Sequence, residues 1–495
     1  LLTLVILAGV GLRFEGLDRK LLWHDEVYTR IFAAGYQGAD WQSALYTGAP
    51  LPVSELQRFQ RYDPSKTLLD TVAGLAEDEP QHPPLYYGLA RLWTGWFGDG
   101  IGALRALSAW LSLLTLLGAF WLGRELFDDR RVALVAAALL AVSPFLVLYA
   151  QEAREYTLWS AQIVLSCAAL LQAMRRMRVW DWALYSALTA ITLYTSFSHA
   201  AVIIAQVLFI GWQARGRFTC QSLSGVAALS VSAVLFAPWA WILWQHFEAF
   251  QASMAWSRTI VIPRAELLGT FALNLSRPTI DLWAAPSSAA ALAGVALGVA
   301  AFLGGMIYTA RRAPKPAVVL LSLLIVVPIG LLLGPDLLWG GIRSISTRYL
   351  MPSLLAFQLA LAFWVARSGV ATTAVLAVGL ASCLHNAPQQ VVWTKGISAD
   401  LPRVAALLNA APAPLVIGNK EAHHPGNMLA LSNLLHDGVT FQLVPDLNAP
   451  YALPPGPYSH RYLYTPTPPF REALPVPATE LINSIYLSVW RLGGG

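Results

Sequence analysis

Charge is scarce in this chain. Asp, Glu, Lys and Arg make up 12% of 495 residues, against 56% hydrophobic residues, which excludes an ordinary soluble protein whose surface is kept wet by ionised side chains. Cysteine is scarcer still. Cys167, Cys220 and Cys383 lie in or near apolar stretches without a C-x-x-C spacing, so neither a disulfide framework nor a thiolate metal site is indicated. No glycine-rich phosphate loop, zinc-type His/Cys array, nucleophile elbow or short-period repeat is visible, which removes the best-marked nucleotide, zinc and serine-hydrolase chemistries. The pI of about 9.1 does not point to nucleic acid, because the basic residues fall in short clusters between apolar segments, where they orient a chain in a bilayer. The sequence opens Leu1-Leu2-Thr3 without methionine, and the expectation is that part of a first span precedes it.

What the chain has is apolar length and tryptophan: 19 Trp and a mean hydropathy of +0.53. A spanning helix needs roughly 20 apolar residues. On that basis spans are expected near 1–12, 102–123, 132–149, 157–174, 182–197, 199–214, 224–243, 286–310, 317–335, 349–367 and 369–385, about eleven in all. The pair between 182 and 214 must hide a turn at Ser196-Phe197-Ser198-His199. Basic clusters occupy alternate loops: Arg124 to Arg131, Arg175-Arg176 with Arg178, Arg215 with Arg217, and Arg311-Arg312 with Lys315. Lys and Arg accumulate on the cytoplasmic side, so the N-terminus is expected there. Residues 13–101, the 150–156 loop, loops near 244–285 and 336–348, and the tail from 386 are then outside.

The expected fold class is an all-α polytopic membrane protein with a small C-terminal α/β extramembrane domain. Residues 1–385 form the membrane domain, with 13–101 as a large first external loop, and 386–495 form the soluble domain. Within the first loop, residues 84–97 are too short to span and rich in Tyr and Trp, which suits a helix lying in the interface. In the tail, Asp400-Leu401-Pro402 opens a helix, Leu415-Val416-Ile417 is a strand and 427–435 a second helix. Short strands are expected at Phe441-Gln442-Leu443 and at Arg461 to Tyr464. Proline crowding from 445 to 478 predicts irregular backbone.

Two short polar motifs sit just outside apolar segments. In Trp23-His24-Asp25-Glu26, a carboxylate near apolar surroundings stays basic enough to take a proton from an incoming hydroxyl or amine; the alternative is a solvated acidic pair in the first turn of a helix. In Gln151-Glu152-Ala153-Arg154-Glu155-Tyr156, Arg154 can bind a phosphate oxygen bidentately, and Glu152 can orient a nucleophile, support Asp25 or help hold a cation; the alternative is a local ion network capping the next span. His82-Pro83-Pro84-Leu85-Tyr86-Tyr87 reads first as a structural turn, although His and Tyr can also donate to sugar or phosphate. Arg343, Arg348 and Tyr349 precede a span on the same outer face, where arginine serves either as a phosphate ligand or as a snorkelling anchor.

Taken in order with Phe236-Ala237-Pro238-Trp239 and Arg348-Tyr349-Leu350-Met351-Pro352-Ser353, these motifs resemble the GT-C membrane glycosyltransferases, in the bacterial branch related to protein O-mannosyltransferases and lipid A aminoarabinose transferases. The resemblance implies transfer, with inversion, of a sugar from a polyprenyl-phosphate donor on the outer side of a bacterial plasma or inner membrane. The acceptor is left open among protein, lipid and glycan. It implies Asp25 as the base, flanked by Glu152 and Arg154. By position, Glu26 is expected in the same catalytic group, and Arg343, Arg348 and Tyr349 join Arg154 at the donor phosphate. His82, Tyr86 and Tyr156 are the expected substrate contacts. No metal ligand set is indicated; Mg or Mn is permitted by the carboxylates but required by no spacing. Relatives often place a histidine directly after Tyr-Thr, where this chain has Leu193-Tyr194-Thr195-Ser196-Phe197-Ser198-His199, so no role passes to His199. The alternative is a transporter or flippase of lipid-linked sugars, but it would want paired half-repeats and charges at mid-span, and neither is evident.

The alternating arginine clusters generate a test. An introduced cysteine beside Gln151 should be labelled by an impermeant reagent in intact cells, and one beside Arg176 should not; the reverse pattern would invert the topology.

Overall fold

The computed structural model describes residues 1–282, 288–420, 424–445, 453–474 and 476–493. The chain forms two compact units. One holds Leu1–Leu17, Leu75–Tyr86 and Leu104–Gln389; the other holds Asp18–Gly74, Tyr87–Ala103 and Gln390–Gly495.

The first unit is helical. Among the described residues, seven helices are long and apolar enough to cross a membrane: Ile101–Phe127 (whose first residues belong to the other unit), Tyr156–Arg176, Cys220–Gln245, Ala289–Arg312, Lys315–Trp339, Thr347–Val365 and Gly369–Asn386. Arg130–Ala141 and Pro144–Ala150, bent by 58° at their break, make an eighth span if the pair is one crossing. The expectation of about eleven spans is therefore corrected to seven or eight. The other apolar stretches are helical but short: Leu2–Phe14, Val179–Leu193 and a segment over Phe197–Gln213. At roughly 1.5 Å per residue, Val179–Leu193 and Phe197–Gln213 fall short of a 30 Å hydrocarbon layer. The turn expected at 196–199 is a 3-10 turn, Phe197–His199, leading into Ala200–Gln213.

The break in the eighth span has a chemical cause and a chemical remedy. Pro144 has no amide hydrogen to continue the helix, so carbonyls at the end of Arg130–Ala141 lose their partners. The buried Arg13 guanidinium supplies donors, to Leu140 O at 2.8 Å and to Ala141 O. Helix Leu2–Phe14 comes this close because Gly9 has no side chain; a Cβ there would lie 2.3 Å from Ala141 O.

The second unit is built on a six-stranded sheet of β1 (Pro50–Pro52), β2 (Pro414–Asn419), β3 (Thr440–Val444), β4 (His460–Tyr464), β5 (Ala478–Asn483) and β6 (Ser488–Leu492), in the order β1-β3-β2-β4-β6-β5. β2 runs parallel to β3 and β4, and the outer pairings are antiparallel. The tail helices form at Leu401–Asn409 and Pro425–Ser432. β1 comes from the early part of the chain, with Leu51 opposite Phe441. The same mixing fills the core, where Val27, Ile31, Trp41, Leu45 and Leu56 pack with Val404, Leu408, Met428, Leu429 and Phe441.

An ion pair ties these two stretches of sequence. Glu26, in the first turn of helix His24–Ala34, is fully buried and accepts from Lys395 Nζ at 2.9 Å, while the ammonium lies 5.4 Å from the centre of the Trp23 ring. Lys395→Met should destabilise the protein by roughly 3–5 kcal/mol, because it strands a buried carboxylate, whereas the double replacement Glu26→Leu with Lys395→Met should recover most of that loss. Chemical denaturation of the three variants checks this, and equal losses in the single and double variants would deny the pair its role.

Candidate functional site

In the helical unit, the turn after Pro144–Ala150 gathers polar side chains. Gln151 donates to Leu12 O at 2.7 Å and Glu15 O at 2.9 Å, which fixes the start of the turn. Arg154 N donates to Glu152 O at 2.8 Å, a tight backbone closure that precedes helix Tyr156–Arg176. Glu152, Arg154 and Glu155 are all nearly inaccessible.

Charged groups buried this deeply must satisfy one another. Arg154 Nε lies 3.3 Å from Glu155 Oε2, and Glu155 Oε1 lies 3.2 Å from His82 Nδ1. The other ring nitrogen, His82 Nε2, is 3.3 Å from Arg154 Nη2. A neutral ring with its proton on Nδ1 serves both contacts, donating to Glu155 and accepting from Arg154. Burial by itself would raise the Glu155 carboxyl; the Arg154 guanidinium and the His82 ring override it and hold the group down to about 2. His82 reaches the turn because Pro83 and Pro84 set the backbone before helix Leu85–Phe97, whose first amide donates to Tyr194 O. Two residues on, the buried Tyr86 hydroxyl lies 2.7 Å from Ser108 Oγ, which in turn donates to Arg154 O at 3.5 Å. Tyr86 thus supports the turn from beneath.

Aromatic faces complete this cluster. The Arg154 and Arg348 guanidinium carbons are each 5.7 Å from the centre of the Tyr156 ring, and Arg348 is 5.4 Å from that of Tyr349. Tyr156 meets Tyr149 edge-on at 5.2 Å. Arg348 is half-buried, so it is reachable from solvent where Arg154 is nearly closed off. Arg343 stands apart: it donates to Asp336 Oδ1 at 2.8 Å and Gly340 O at 2.9 Å, and Asp336 also accepts from Ser344 N and Oγ. Both of these Arg343 bonds run from Nη1 and tie it to its own loop.

Three residues that the sequence reading passed over join this unit's polar interior. Arg277 donates to Asn274 Oδ1 and Thr347 Oγ1, both at 2.6 Å, and so braces the residue before Arg348. No local spacing marks Asn274, Arg277 or Thr347, which are 70 residues apart at the Arg277–Thr347 contact. Glu155, quoted within its motif but not singled out, is the carboxylate to which both His82 and Arg154 are bound.

In the sheet-bearing unit, Asp25 and Glu26 divide. Glu26 faces inward to Lys395. Asp25 Oδ1 is 2.8 Å from His24 Nε2, and both side chains keep 13% of their surface exposed. Asp25 is therefore the carboxylate of this pair that a ligand can reach. Among the described residues no three His, Cys, Asp or Glu side chains converge as a metal ion would require.

The family model of dolichyl-phosphate-mannose-protein mannosyltransferases matches residues 81–244, a stretch that includes His82, the 151–156 turn and Phe236 to Trp239. No curated protein matches the sequence. Among solved structures, ArnT from Cupriavidus metallidurans bound to undecaprenyl phosphate aligns over 99% of this chain and 97% of its own, with 11% identity and a TM-score of 0.55. The apo form of the same protein aligns over the same shares with 13% identity and a TM-score of 0.43. The Archaeoglobus fulgidus oligosaccharyltransferase in complex with Zn and sulfate covers 90% of this chain and 62% of its own, with 15% identity and a TM-score of 0.48. The chain thus has the ArnT fold along almost its whole length, and the part of it that carries His82 and Arg154 is similar to the dolichyl-phosphate-mannose-protein mannosyltransferases.

Proposed function

We propose that this protein is a membrane glycosyltransferase that moves a sugar from a polyprenyl-phosphate donor to a hydroxyl or amine acceptor on the outer face of a bacterial plasma or inner membrane, with inversion. The observation that carries this reading is the pair of guanidinium groups, Arg154 and Arg348, set around Tyr156 where spans begin. A lipid phosphate is a good leaving group once its developing charge is met, and fixed cations in a low-dielectric site meet it without reorganisation. Guanidinium groups suit phosphate oxygens through paired donors. Of the two, Arg348 makes the direct contact, and Arg154, gripped by Glu155 and His82, fixes the field around Tyr156. Tyr156, Tyr349 and the accessible part of His82 contact the donor head, and Glu152 orients the reacting groups. Arg343 keeps its loop in place. The apolar spans take the polyprenyl tail.

The acceptor must lose a proton as it attacks the anomeric carbon. Asp25 is the base: it is a carboxylate, partly exposed, at the start of a helix, with its neighbour Glu26 withdrawn into an ion pair. The attack forms the new glycosidic bond as the bond from sugar carbon to phosphate oxygen breaks, which leaves the polyprenyl phosphate and a protonated Asp25.

Mass spectrometry after incubation with a panel of undecaprenyl-phosphate hexoses and pentoses tests the activity; no sugar-bearing product from any donor and acceptor pair would count against it. Arg348→Ala should weaken binding of the active donor by roughly 1.5–3 kcal/mol, the scale of a hydrogen bond to a charged group, and Arg348→Lys should restore only part. Unchanged affinity in both would remove Arg348 from the donor site. Asp25→Asn keeps the shape and deletes the proton acceptor, so turnover should fall by about 100- to 10,000-fold while donor affinity holds. A folded Asp25→Asn protein with ordinary turnover would sink the mechanism.

A further inference from the structure

We infer that His24 is a positioning residue for Asp25 and that the C-terminal segment, not the first loop alone, holds it in place; this rests on Asp25 being the base. A carboxylate in the first turn of a helix has free choice of rotamer unless something binds one of its oxygens. Here His24 Nε2 lies 2.8 Å from Asp25 Oδ1. An ionised carboxylate only accepts, so the ring carries its proton on Nε2 and donates it. That bond holds Oδ1 and, with it, the orientation of the carboxylate. His24 Nδ1 is buried and has no hydrogen-bonding partner among the described residues, so the contact to Asp25 is the polar task of this ring.

A donor is useful to a base only if the donor is itself fixed. His24 is fixed on several sides. Trp23 meets the ring edge-on at 4.7 Å between centroids, and His424 meets it in the same manner at 4.5 Å. The backbone amide of His24 donates to Ser398 Oγ at 3.4 Å, and Ser398 donates to Asn427 Oδ1 at 2.6 Å. Helix Pro425–Ser432 presses on the same place: a Cβ on Gly426 would lie 2.8 Å from the His24 Cβ and 3.0 Å from the Tyr28 ring. Ser398, His424, Gly426 and Asn427 all belong to the C-terminal segment. Ser398, His424 and Gly426 meet His24 directly, and Asn427 holds Ser398.

Gly426→Ala, far from Asp25 in sequence, should therefore displace His24 and act on turnover. His24→Phe keeps the aromatic contacts and deletes the donor; it carries the test if Gly426→Ala does not fold. Misplacing a reacting group by about 1 Å costs up to 100-fold. With the undecaprenyl-phosphate sugar that the intact enzyme uses, kcat should fall on the order of 10- to 100-fold in both variants while the donor KM stays unchanged. His24→Gln, whose amide can donate from nearly the same place, should recover much of the loss. Intact kcat in folded His24→Phe would overturn the inference, as would a loss that His24→Gln does not relieve and that tracks the melting temperature. Asp25→Asn run alongside separates the two claims: if it retains turnover, the base assignment falls and this inference with it, whereas an inactive Asp25→Asn beside a fully active His24→Phe removes only His24.

Discussion

A charge taken out of water must be met by another group close by, and most of the architecture follows from how this chain meets that demand. It has few charges, and several of the buried ones come in matched sets. Glu155 is answered by Arg154 and His82, Glu26 by Lys395, Asp336 by Arg343 and Ser344. Arg13 and Arg277 are answered by carbonyls and by neutral side-chain oxygens. Each set joins segments that are apart in sequence or closes a turn that would otherwise leave backbone groups stranded. The cost of leaving any of them half-made is large enough to select one arrangement over its neighbours.

The same demand separates residues that look alike on paper. Asp25 and Glu26 are adjacent acids, yet one keeps access to solvent and the other is sealed around an ammonium. Arg343 and Arg348 are five positions apart, yet one is consumed by Asp336 and the other lies against two aromatic rings. The surroundings of Arg343 are set by Asp336 and Gly340 rather than by anything next to it in the motif.

Much of the fold was legible because its signals are local. Apolar length found the helices, and proline at Pro402 and short β-branched runs such as Leu415-Val416-Ile417 found the elements of the tail. Span number was less legible, since apolar composition does not reveal that Val179–Leu193 stops after 15 residues or that Pro144 splits a single crossing. At the candidate site, His82 and the 151–156 turn meet in one cluster, although spacing alone made 82–87 a structural turn. Lys395, Arg277 and Gly426 were invisible for a common reason: each matters through a contact with a residue far along the chain, and nothing in its immediate neighbours records that partner.

β1 brings residues 50–52 against residues 440–442, so the sheet edge and part of its core are made of stretches that leave the ribosome far apart in time. Helix His24–Ala34, with Val27 and Ile31 ready to be covered, is made well before Val404, Met428 and Phe441, the partners that cover it. Closing so long a loop adds little entropy beyond a shorter one, because the cost grows only with the logarithm of length. The burden falls instead on time. Through that interval the apolar face and the Glu26 carboxylate stay in solvent, which makes this early segment the natural client of any chaperone that attends the chain during insertion.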